Sequence, residues 1–101
     1  MSDFSPLTPE EERCVRRLMG VHRKLAQLRI RRLEAHATIR LTDVIYSTID
    51  HANPHRALLL ARLSQERRNS YRLLAHIDGL IRVFKAIEES TLRAAGLRRL
   101  P

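Results

Sequence analysis

The sequence predicts an all-α fold, a long helical hairpin or a three-helix protomer that dimerises into a helical bundle, and three observations carry that reading. Between Asn53 and Ala95 apolar residues recur at helical spacing. A second stretch, from Glu11 to about Glu34, repeats the pattern. Helix start signals precede both, Thr8-Pro9 and Asn53-Pro54, and Gly96 marks the stop of the second.

In chain order, residues 1–7 read as a flexible leader and 8–96 as one helical domain, with a basic tail at 97–101. Thr8, Pro9 and Glu11 form a capping box: the Thr8 oxygen can accept the Glu11 N–H, and Pro9 needs no donor at the first helical position. Glu10, Glu11 and Glu12 then lie at the positive end of the helix dipole, which gives the acidic triplet a structural role. The first helix is expected over 9–36, with Cys14, Leu18, Val21, Leu25 and Leu28 in one sector.

After Ala35 the apolar residues Leu41, Val44, Ile45 and Ile49 keep helical spacing in a sector rotated well away from the first stripe. Either a turn near Ala37 to Leu41 begins a short helix capped by Thr42, or one continuous helix meets a different neighbour. The preferred reading is three helices, 9–36, 42–52 and 54–95, over a two-helix hairpin. The last is opened by Asn53 as cap and Pro54 as first residue, and closed by Gly96 in a left-handed conformation. Its core face is Leu59, Leu63, Ser70, Leu74, Ile77, Ile81 and Phe84, flanked by Leu73, Leu80 and Ile87, with Gly79 as the place for a kink.

Two or three helices in 101 residues make a thin core, so a homodimer is expected. The single cysteine, Cys14, excludes an intrachain disulfide and fits a reducing compartment as a small core residue. With no apolar run long enough to span a bilayer, the expectation is a cytoplasmic protein without a membrane partner.

Nineteen Lys and Arg against eleven Asp and Glu give a formal charge of +8. Arg13, Arg16, Arg17, Arg23, Lys24 and Arg31 cluster opposite the first apolar stripe and are the candidate basic surface. Arg32 departs from this segregation and falls in the core sector, as Glu66 and Glu88 do on the last helix, so ion pairs at the seam are expected. Residues 41–55 hold no Lys or Arg, and Leu41, Val44, Ile45 and Ile49 are the candidate protein interface.

Signs of chemistry are sparse. His51 and His55 straddle a proline that spoils helical ligand geometry, and no cysteine joins them, so no metal is expected. Three glycines make no phosphate loop, and no cofactor site is expected. The segment Ile81-Arg82-Val83-Phe84-Lys85-Ala86-Ile87-Glu88-Glu89-Ser90 is similar to the last helix of the all-helical chorismate mutases. That resemblance implies a dimeric enzyme whose basic side chains hold a dianion, with Arg32 where one such arginine sits. Val15 and Asp43 stand where the family offers an arginine and a lysine. Base reading is disfavoured because Thr42 to Asp50 contains no Arg, Lys, Asn or Gln.

The leading expectation is a small non-enzymatic regulatory or adaptor protein that binds another protein. In size and helical build it resembles the small antiactivators that sequester bacterial quorum-sensing transcription regulators. The alternative is a dimeric nucleic-acid-binding protein that contacts phosphates through the basic side of its first helix.

Overall fold

The structure, a computed structural model, describes residues 6–96 and contains two antiparallel helices, α1 (Pro9–Thr48) and α2 (Arg56–Ala94). The leader residues 1–5 and the tail 97–101 lie outside the described residues. Thr8 opens α1 as the sequence indicates: its Oγ1 accepts the Glu11 N–H at 3.1 Å and its carbonyl accepts the Glu12 N–H at 2.9 Å. Gly96 follows α2 with φ of 73°, the left-handed conformation that glycine adopts without steric cost.

The expected turn near Ala37 to Leu41 is absent, and α1 runs unbroken to Thr48. The physical reason lies on the other side of the helix. Ala35, Ile39 and Thr42 are buried and continue the face of Val21, Leu25 and Leu28, so the stripe meeting α2 never stops. Thr42, expected to cap a new helix, sits inside the seam with its hydroxyl donating to the Ile39 carbonyl at 2.7 Å. The rotated apolar sector is therefore a second face of one helix.

The link, residues 49–55, consists of two short turns held by side chains. Asp50 Oδ1 accepts the Ala52 N–H at 3.0 Å, and Asn53 Oδ1 accepts the His55 N–H at 2.8 Å. The Asn53-Pro54 signal acts here rather than as the first turn of α2. Pro54 takes the second position of a turn closed by the Arg56 N–H on the Asn53 carbonyl, so α2 starts at Arg56 with His55 as its N-cap.

Spacing along α1 alternates four and three through Cys14, Leu18, Val21, Leu25, Leu28, Arg32, Ala35, Ile39 and Thr42. On α2 the same alternation runs through Leu60, Leu63, Arg67, Ser70, Leu74, Ile77, Ile81, Phe84, Glu88 and Thr91. This seven-residue repeat is the seam pattern of a two-stranded coiled coil. Leu25 and Ile77, each 2% exposed, are its most completely buried members.

The product is a rod of 76 × 27 × 25 Å with a radius of gyration of 22.1 Å, against about 13 Å for a compact chain of this length. Leu25→Ala and Ile77→Ala are each expected to cost about 2–5 kcal/mol in denaturant unfolding, whereas Val83→Ala, on an exposed side of α2, should stay within about 0.5 kcal/mol. Thr8→Ala should cost about 1 kcal/mol through loss of the cap.

Candidate functional site

The seam divides the rod into two unlike sides. On one, three contacts between basic and acidic side chains cross between the helices: His22 Nε2 to Glu88 at 2.6 Å, an ion pair when the imidazole is protonated, and the ion pairs Arg32 Nε to Asp78 at 2.8 Å and Arg67 Nη1 to Asp43 at 3.3 Å. From His22 to Arg32 to Asp43 along α1, the partners step back equally along α2, from Glu88 to Asp78 to Arg67. In each pair one member occupies a seam position, where a charge cannot stay buried without a partner, and leans outward to meet an opposite charge on the adjoining flank. The expected seam pairing of Arg32 is realised with Asp78 and that of Glu88 with His22, whereas Glu66 is exposed and takes part in no ion pair among the described residues. Arg67 also lies over the Tyr71 ring, 5.7 Å from its centroid. Its pKa is raised above the ordinary arginine value, first by hydrogen bonding to Tyr71 and then by the charge of Asp43.

On the opposite side no ion pair crosses between the helices among the described residues. Arg17, Lys24 and Arg31 stand one above another on α1, seven residues apart, and Leu73, Leu80, Ile87 and Ala94 do the same on α2. A groove lies between these rows. One part is a cavity of about 300 Å³ lined by Lys24, Gln27, Leu28, Arg31, Leu80 and Phe84. Towards the open end of the hairpin lies a larger hollow of about 770 Å³, where Arg13, Cys14 and Arg17 face Thr91 and Ala94, with Glu10 and Glu11 on its lining.

All six residues of the basic surface, Arg13, Arg16, Arg17, Arg23, Lys24 and Arg31, are exposed, and none takes part in an ion pair among the described residues. The structure does not keep them as one patch. Arg17, Lys24 and Arg31 border the groove, while Arg16 and Arg23 point nearer the back of α1, by their angular positions on the helix.

The candidate interface residues Leu41, Val44 and Ile45 are exposed, at 59%, 57% and 39%, and Ile49 is half-buried. Leu41 and Val44 belong to a longer stripe on the side of α1 turned away from α2, shared with Ile30 and Leu33. Sequence reasoning missed Ile30 and Leu33 because they fall on the sector first read as charged. The signal was there: their spacing to Ala37, Leu41 and Val44 is helical. Part of this stripe, with Arg32, His36 and Arg40, lines a shallow hollow of about 590 Å³.

Arg32, where the likeness to chorismate mutases places a substrate-holding arginine, is engaged by Asp78. Among the described residues no group of three or more His, Cys, Asp or Glu side chains is placed to hold a metal ion, and no helix is long and apolar enough to cross a membrane. The chain matches no family model, no curated protein and no solved structure.

The ion-pair side lends itself to a charge-swap test. Arg32→Asp and Asp78→Arg should each destabilise the hairpin, and the double variant should recover about 0.5–1 kcal/mol relative to additivity, read from urea midpoints.

Proposed function

We propose that this protein is a small non-enzymatic regulatory or adaptor protein that works by protein–protein interaction, receiving an acidic amphipathic helix of its partner in the groove between α1 and α2. The observation that carries this reading is the asymmetry of the seam. Ion pairs close one side, whereas the other leaves Leu73, half exposed, and the row of Leu80 and Ile87 beside cations that pair with no acid among the described residues. An amphipathic helix lying there would bury its leucines on that row and set carboxylates against Arg17, Lys24 and Arg31. Arginine and lysine at the edge of such a contact speed encounter and fix orientation. In an antiactivator-type action, the captured helix would belong to a transcription regulator whose working surface is thereby covered.

Self-association belongs to the same reading. The chain exposes 8456 Å², against about 5,900 Å² for a compact monomer of its 11.7 kDa mass, and a hairpin with this much uncovered surface is half of a bundle. A dimeric nucleic-acid-binding protein is the second reading, favoured by the six exposed cations on one rigid helix. The groove weighs against it, because phosphates gain nothing from a row of leucines.

The two readings separate in solution. A synthetic amphipathic peptide of about 21 residues, long enough to follow α2 from Leu73 to Ala94, should bind when glutamates flank its leucine face and lose affinity at least about tenfold when lysines replace them. Leu80→Asp should weaken that binding, and random duplex DNA or RNA should not bind at physiological salt. Duplex binding that persists there, falls about 10³-fold between 50 and 200 mM salt, and vanishes on changing Arg16, Arg17, Arg23 and Lys24 to Glu would establish the nucleic-acid reading instead.

A further inference from the structure

From Ile30 to Val44 the back of α1 is apolar although nothing in the hairpin covers it. Ile30, Leu33, Leu41 and Val44 are 57%, 68%, 59% and 57% exposed, and Ala37 lies among them, also exposed. Leu33 is the most exposed of the large apolar side chains described. Their spacing of three, four, four and three residues is that of a helix face built for a second helical neighbour.

We propose that this neighbour is the α1 helix of a second copy of the chain, packed antiparallel across a two-fold axis at Ala37. This proposal rests on the self-association reading above and deepens it by naming the face and the symmetry. Three features select it.

The stripe is symmetric about its smallest member. Reversing the direction of α1 about Ala37 superposes Ile30 on Val44 and Leu33 on Leu41, so one face complements itself, as an isologous contact requires. In angular position, Leu33 and Val44 lie to one side of the stripe's midline, and Ile30 and Leu41 to the other. In an antiparallel pair each layer joins one residue from each side, which these pairs satisfy. Ala37, at the centre, lets the backbones approach to the short end of the usual 8–10 Å interaxial range.

Charge selects the antiparallel direction. Residues 26–33 carry Arg29, Arg31 and Arg32 and no acid, whereas residues 41–48, the last of α1, carry Asp43 and no Lys or Arg. The two-fold at Ala37 lays each of these segments beside the other one of the second copy. A parallel pairing would set the basic segment against itself.

Area agrees as well. The surplus exposure over a compact monomer is about 2,500 Å² per chain, ample for a contact that buries about 1,200–2,000 Å² in total. The layers then run α2, α1, α1, α2, and both grooves stay free, because each opens between α1 and α2 of one hairpin.

The test combines solution mass with disulfide trapping in a Cys14→Ala background, which removes the native thiol. The expected mass is that of a dimer. Ala37→Cys should form an intermolecular disulfide, because only a residue on the axis meets its own copy. Ala26→Cys should not link to itself but should link to Thr48→Cys in a mixture. Val44→Asp should weaken the dimer at least about 100-fold, and Val83→Asp, equally exposed but on α2, should leave it intact. A dimer in which Ala37→Cys stays reduced and Val44→Asp has no effect overturns this geometry while leaving self-association in place. A monomeric mass at every concentration overturns both, and it leaves peptide capture in the groove to be judged separately.

Discussion

Two helices of about forty residues must keep a common seven-residue register over their whole length, with no third element among the described residues to correct them. A slip of one position would take Leu25 and Ile77 out of the seam and bring exposed polar residues into it. The ion pairs follow from the same register, for their equal steps along the two helices require a constant offset. At side-chain exposures between 29% and 60% such pairs add little stability, and their physical contribution is to penalise the wrong alignment.

That register also generates the difference between the two sides of the rod. Charged residues admitted to the seam, Arg32, Arg67 and Glu88, all find partners on the same side and draw the polar chemistry there. The other side retains Leu73, Leu80 and Ile87 next to Arg17, Lys24 and Arg31. A surface that is apolar and cationic in adjacent rows is costly to leave in water and specific in what it accepts, which is the physical basis of the protein-binding reading.

A hairpin of this length has no interior in the ordinary sense. Its core is narrow, and from Ile30 to Val44 α1 is apolar on its back as well as towards α2, so the helix offers a face for a second neighbour. The rod shape and the large exposed area follow from two long helices packed side by side. Pairing at the back of α1 would give the chain the layered core that its sequence composition implies.

The helical class, the start at Thr8, the stop at Gly96 and most of the seam were legible along the chain, because caps and a 3.6-residue period are local properties that each segment carries alone. The sequence also indicated partners for Arg32 and Glu88, which they have, and for Glu66, which lies exposed outside the seam and pairs with no acid or base among the described residues. What it left open was whether Ala35 to Leu41 turns. Two apolar stripes on one helix and one stripe on each of two helices look alike along the chain, and only the position of α2 against Ala35, Ile39 and Thr42 distinguishes them. The identity of the partners, Asp78 for Arg32 and Arg67 for Asp43, and the division of the basic cluster between groove and back, were likewise decided by the tertiary structure. These are relations between residues far apart in sequence, fixed by the offset of one helix against the other, and no local pattern encodes that offset.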